Sequence, residues 1–166
     1  MTEYNCTGQC DTCTVDHSIE SANRGHGISY SPLAIQYAQS TKYLNRDDNF
    51  NQILTENNEN IFFGEFGSFA CGDVVSIWVK LDKDLDTILD AKFLSTGCYG
   101  SLSSSAYGCE QIIGKKLFEI DSKLLTQDIM NTLQLPEIKK HCSVFIGICL
   151  NQIKEKIGKI DKDSKK

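Results

Sequence analysis

Basic residues are in the minority: 17 lysines and arginines face 22 acids, leaving a net charge of −5. Proteins that grip nucleic-acid backbone are usually basic, so that class is disfavoured. An acidic surface is equally a poor match for anionic membranes. No apolar run approaches the roughly 20 residues that span a bilayer. The opening Met-Thr-Glu-Tyr-Asn-Cys has neither the basic start nor the apolar stretch of a secretory signal. It also lacks the arginine-rich, acid-poor character of a transit peptide. The expected location is the cytoplasm, or a mitochondrial-type organelle if the chain is a processed form. Internal repeats are absent too.

What is present is ordinary in bulk and unusual in one residue. A chain of 166 residues, 40% hydrophobic and 23% charged, suits one soluble domain with its own core. Eight cysteines are many for a chain without a secretory signal. Reduced thiols in clusters more often bind metal or do chemistry than form bridges.

Residues 1–28 are polar, carry Cys6, Cys10, Cys13 and His17, and read as an extension without a core. Ser31-Pro32 supplies an N-cap and a first-turn proline. It opens a helix of about three turns through Leu33, Ile35, Tyr37 and Tyr43. Asn45 to Asn60 reads as a loop. Apolar alternation over Val75 to Leu81 predicts a half-buried strand. Asp82 to Asp86 is a polar turn, and Ile88 to Ser95 completes an antiparallel hairpin, with Ile61 to Phe63 as a third strand at its edge. Helices are expected over Ser101–Ile113, Ser122–Leu133 and from Pro136 to about Ile157. The last carries Ile146, Cys149, Leu150, Ile153 and Ile157 on one stripe and stops at Gly158. The tail 161–166 is charged and expected to fray. The fold class is α+β: a small antiparallel sheet with helices, occupying residues 29–160.

Three short segments carry chemistry: Ala70-Cys71-Gly72-Asp73, Thr96-Gly97-Cys98-Tyr99-Gly100 and Lys140-His141-Cys142-Ser143. Each sits at an expected element boundary, where loops bring distant residues together on a rigid frame. Thiolate, imidazole and carboxylate are ligands for zinc, and thiolates with occasional histidine serve ferrous iron and iron–sulfur clusters. Glycine beside Cys71 and Cys98 lets the backbone turn tightly. Cys98 and Cys142 lie near expected helix N-termini, which favour thiolate over thiol. A thiolate there can ligate metal or accept sulfur as a persulfide. Cys109 and Cys149 fall on expected helices and read as buried core residues.

Together with Ser101–Ser105, Glu110, Gly114-Lys115 and Leu135-Pro136-Glu137-Ile138-Lys139, these segments resemble the IscU-type iron–sulfur cluster assembly scaffold, the NifU N-terminal domain family. The resemblance runs from about Tyr30 to Ile157. It implies a three-stranded antiparallel sheet with helices on one face and the metal site at one end. It also implies a scaffold rather than an enzyme, taking sulfur from a cysteine desulfurase, building a transient [2Fe-2S] cluster and passing it to acceptor proteins. By this resemblance Cys71, Asp73, Cys98, His141 and Cys142 are the ligands of cluster, iron or zinc. Asp73 makes the cluster labile, and Cys142 accepts the persulfide. A DnaK-type heat-shock chaperone is implied at Leu135–Lys139, although Glu137 replaces the family's second proline. Monomer and homodimer both remain open.

The alternative is a zinc-containing sulfurtransferase that takes persulfide and activates the desulfurase. The insertion of SufU-type relatives before the last cysteine is absent, 43 residues separate Cys98 from Cys142, and His141 precedes Cys142. These features resemble the scaffold type. Departures from the family include Phe69 where many relatives have proline and Tyr99 where glycine is usual. Cys6, Cys10 and Cys13 have no family counterpart. Their spacing suits a [4Fe-4S] cluster, or zinc with His17 as fourth ligand. Radical S-adenosylmethionine chemistry shares this spacing but needs a barrel that the chain is too short to form.

Overall fold

Valine, isoleucine and phenylalanine at every second position make three strands, since alternate side chains leave a strand on opposite faces. The computed structural model describes residues 28–45, 60–69 and 71–163. Strands β1 (Ile61–Ser68), β2 (Asp73–Leu81) and β3 (Ile88–Thr96) form one antiparallel sheet in the order β1-β2-β3. Register is set by pairs such as Gly64 with Ile77 and Ile77 with Phe93, and one irregularity falls at Lys80/Leu81. Val75, Ile77, Val79 and Leu81 point to the inner face and are at most 1% exposed.

Four helices accompany the sheet among the described residues: α1 (Pro32–Gln39), α2 (Tyr99–Ile112), α3 (Ser122–Leu133) and α4 (Phe145–Asp163). Three-residue and eight-residue 3₁₀ segments lie at Leu117–Glu119 and Glu137–Val144. The expected stripe on α4 is buried throughout, with Ile146, Cys149, Leu150 and Ile153 at 0%. Ile146, Leu150 and Ile153 each contribute roughly 1.5–3 kcal/mol of burial free energy. α4 comes so close to β1 that a Cβ on Gly64 would lie 2.5 Å from the Cys149 carbonyl oxygen. Cys109 is also fully buried, so both helical cysteines are core residues as expected.

Several boundaries differ from the sequence reading. α1 ends at Gln39, before Tyr43. Tyr43 and Asn45 instead hydrogen-bond Phe93 of β3, and Leu44 makes a parallel bridge to it. Sheet pairing thus wins over helix continuation there. The segment from Pro136 is not one helix. It is a 3₁₀ stretch that passes into α4 at Phe145. α4 runs through Gly158 to Asp163, because Gly158 does not take the positive φ by which a glycine ends a helix. The expected frayed tail is therefore helical to Asp163. Most of the expected Asn45–Asn60 loop, Ala70, the extension with Cys6, Cys10, Cys13 and His17, and residues 164–166 lie outside the described residues. No helix among the described residues is long and apolar enough to cross a membrane.

Caps tie the helices together. The Ser31 hydroxyl accepts the Ala34 N–H at 3.1 Å and donates to the Leu133 carbonyl at 2.6 Å, joining the start of α1 to the end of α3. Asp121 caps α3 by accepting the N–H groups of Lys123 and Leu124. Gln134 closes α3 in the left-handed region at φ 48.

Candidate metal and sulfur site

The three chemical segments meet at one end of the sheet. Cys71 sits in the β1–β2 turn, where Gly72 adopts φ +72 and its N–H donates to the Ser68 carbonyl. Only glycine takes that backbone conformation without strain. Asp73 begins β2 beside the end of β3, since Val74 pairs with Thr96. Cys98 is the N-cap residue of α2. His141 and Cys142 lie on the 3₁₀ segment before α4.

Their donor atoms converge as two overlapping groups. Asp73, Cys98 and Cys142 offer atoms all within 4.8 Å of one another, and so do Cys71, Asp73 and His141. Asp73 belongs to both. Its Oδ1 accepts the Cys98 N–H at 3.2 Å, and its Oδ2 lies 3.2 Å from Cys98 Sγ and 3.8 Å from Cys142 Sγ. The two sulfurs are 3.8 Å apart, and His141 Nε2 is 3.6 Å from Cys142 Sγ. Asp73 is 4% exposed and Cys142 fully buried, whereas Cys71 and Cys98 are half-buried and His141 faces solvent. The site therefore has a buried floor and an open rim.

Two glycines make the convergence sterically feasible. A Cβ on Gly97 would lie 2.7 Å from both Cγ and Oδ1 of Asp73. One on Gly100 would lie 3.3 Å from Cys142 Sγ and 3.5 Å from Cys98 Sγ. Their places in Thr96–Gly100 are legible in the sequence, but their clearance roles are not. Lys139 and Tyr30 also reach the site, and sequence reasoning missed both as neighbours of Cys98.

The electrostatics separate the two thiols. The hydrogen bond from Cys142, aided by the Ser101 N–H, brings Cys98 down to about 6 against the opposing effects of burial and Asp73. Cys142 is pushed up, first by that hydrogen bond and then by burial. The shared proton thus rests on Cys142 and the negative charge on Cys98. Burial works against the Lys139 ammonium, but Cys98, Cys142 and Asp73 outweigh it and raise its pKa. Helix-terminus position alone suggested thiolates at both cysteines; in the metal-free pair only Cys98 is favoured as one. A carboxylate and two sulfurs held this closely and partly dehydrated favour a bound cation, because like charges in a low-dielectric site repel. The donor set of sulfur, oxygen and imidazole nitrogen fits zinc or ferrous iron.

Residues 46–162 match the family model of the NifU-like N-terminal domain. The chain belongs to this family. It is 34% identical over 116 residues to the iron–sulfur cluster assembly protein IscU of Plasmodium falciparum, covering 69% of each chain. It is 33% identical over 117 residues to the iron–sulfur cluster assembly scaffold protein IscU of Escherichia coli K12, covering 70% of this chain and 84% of that one. A crystal structure of a SUF-system protein from Fervidobacterium islandicum AW-1 superposes with a TM-score of 0.55 at 23% identity, covering 75% of this chain and 95% of that one. That likeness supports the α+β fold, with its three-stranded antiparallel sheet and packed helices.

Proposed function

We propose that this chain is a scaffold on which a transient [2Fe-2S] cluster is assembled and from which it is transferred. Convergence of Asp73, Cys98 and Cys142 within 4.8 Å, with Cys71 and His141 on the same rim, carries the reading. Family membership and the names of the IscU relatives support it. The cluster is cargo, so the chain has no turnover of its own.

In this reading a cysteine desulfurase brings sulfane sulfur as a persulfide. Cys142, once deprotonated, attacks the outer sulfur; one S–S bond forms as another breaks, and the desulfurase cysteine leaves as thiolate. Cations held by Cys71, Asp73 and Cys98 would take up the negative charge on Cys98 that keeps the proton on Cys142, so that proton could pass to solvent and leave the Cys142 thiolate free to attack. Reduction of the sulfane sulfur to sulfide takes two electrons from a low-potential external donor. Asp73 contributes a hard oxygen ligand that exchanges faster than thiolate and lets the cluster leave for an acceptor protein. Zinc occupies the same donors when iron is absent.

A DnaK-type chaperone contact through Leu135–Lys139 belongs to the proposal. Ile138 and Glu137 are exposed there, while Leu135 is buried, so recognition would use the outer side of the segment. Glu137 pairs with Lys140 at 2.6 Å, an ion pair that a chaperone would have to accommodate.

Anaerobic incubation with iron, cysteine and the native desulfurase should produce a [2Fe-2S] absorption spectrum on this chain. No spectrum, with a control scaffold succeeding, overturns the reading. Tight zinc and faster desulfurase turnover without a cluster would instead identify the zinc sulfurtransferase.

A further inference from the structure

Among the described residues, β1 has no strand beyond it, since it stands at the end of the order β1-β2-β3. The far side of β3 is occupied: Tyr43 and Asn45 hydrogen-bond Phe93, and Leu44 bridges to it. An open edge offers a row of unpaired N–H and C=O groups to any other strand. β1 reads Ile-Phe-Phe-Gly-Glu-Phe-Gly-Ser, rich in aromatics with a single charge, a composition that suits such pairing.

In an antiparallel pair, alternate residues turn both backbone groups toward the neighbouring strand or away from it. Phe63 and Glu65 turn theirs away from β2, and side chains of α4 meet them there. The Glu65 N–H donates to Gln152 Oε1 at 3.0 Å, and Gln152 Nε2 donates to the Glu65 carbonyl at 2.9 Å. One side-chain amide thus makes the two-bond exchange that a residue of a fourth strand would make. Lys156 Nζ donates to the Phe63 carbonyl at 2.5 Å and stands 5.6 Å from the centre of the Phe63 ring, within cation–π range.

The reach of these two side chains has a local cause. Gly64 lies between Phe63 and Glu65, and it lets the α4 backbone at Cys149 press against β1. Gln152 and Lys156 follow Cys149 at steps of three and four residues, so they share one side of the helix. With the helix pressed on the strand at Cys149, the next two side chains of that row fall on the strand edge. Lys156 and Glu65 are exposed and Gln152 is half-buried, so core packing does not require these contacts.

We propose that the β1 edge is a strand-pairing surface fitted to β1 of a second copy of this chain, and that Gln152 and Lys156 hold it closed. The second copy fits by register. Two β1 strands paired antiparallel about Gly64 set Phe63 of each opposite Glu65 of the other. The backbone groups exchanged are then those that α4 now holds, and no like charges meet. The device does not depend on cluster assembly.

The test uses the full chain at one fixed metal content. Gln152→Ala with Lys156→Ala should keep the wild-type circular dichroism and sediment at twice the wild-type mass. Adding Glu65→Pro, which removes the edge N–H, should restore the wild-type mass. A folded double variant that keeps the wild-type mass overturns the proposal, as does a doubled mass that survives Glu65→Pro. Should the double variant not fold, Gln152→Ala alone decides by hydrogen exchange at low protein concentration. Its Glu65 amide should exchange about tenfold faster than in the wild type, the scale of losing one or two hydrogen bonds. An unchanged rate overturns the closing role of Gln152.

Discussion

Asp73 holds Cys98 by both ends of its carboxylate: Oδ1 accepts the Cys98 backbone N–H at 3.2 Å, and Oδ2 lies 3.2 Å from its sulfur. One side chain therefore fixes where α2 begins and where its first sulfur points. It also belongs to both donor groups, so a change at Asp73 reaches both.

Asp73→Ala should slow cluster release and raise the yield of bound cluster, because an exchangeable oxygen ligand is lost. A barrier change of about 1.4 kcal/mol corresponds to roughly a tenfold slower transfer to an apo-acceptor. Circular dichroism during transfer reads that rate directly. An unchanged rate would remove Asp73 from the release step.

Gly97→Ala should weaken metal binding by about 10–100-fold, the usual effect of disturbing a group that positions a ligand. Its Cβ would stand 2.7 Å from the Asp73 carboxyl carbon, so the carboxylate must swing away. Gly100→Ala should cost less affinity, since its closest sulfur is 3.3 Å away. That variant also replaces a glycine in the first turn of α2 with a better helix former, so its thermal midpoint should not fall in proportion. Isothermal titration with zinc and thermal melts separate the two effects. Equal losses at both glycines would contradict the clearances.

In metal-free protein, Cys98 should alkylate first. Its thiolate is favoured down to about 6, so labelling should rise with pH through that value and then level off. Cys142, fully buried and pushed up, should label slowly, and Cys109 and Cys149 only after unfolding. Iodoacetamide labelling read by peptide mass spectrometry tests the order. Cys142 labelling ahead of Cys98 would reverse the placement of the shared proton.

Ser31→Ala removes both an N-cap acceptor and the donor to Leu133. The loss should be about 1–2 kcal/mol, seen as a lower urea midpoint at unchanged slope. An unaltered midpoint would mean that water replaces both bonds.

Asp121 titrates with stability. Accepting the Leu124 and Lys123 N–H groups lowers its pKa below the ordinary value of about 3.9. Its contribution is thus present above that value and lost as pH falls through the lower folded one. Asp121→Asn should flatten that part of the acid limb in urea titrations between pH 5 and pH 2, pH values chosen as roughly bracketing the transition. An identical acid limb in both proteins would show that the cap carries no linkage.

Much of this molecule is local, and local features are legible in a sequence. Alternation from Val75 to Leu81 sets a strand with one buried face. The stripe from Ile146 to Ile157 sets a helix face, and Ser122 to Leu133 reads as a helix. The order of Cys-Gly-Asp, Gly-Cys and His-Cys marks the candidate donors. Tertiary structure decided the rest. The contacts of Asp73, Cys98 and Cys142 join residues separated by 25, 44 and 69 positions, and no periodicity encodes such meetings. Clearance at Gly97 and Gly100, Tyr43 leaving its helix for Phe93, and the 3₁₀ path through His141 and Cys142 all depend on what packs alongside. Proton placement between Cys98 and Cys142 depends on it too, because burial and partner distance, not residue type, set which sulfur carries the charge.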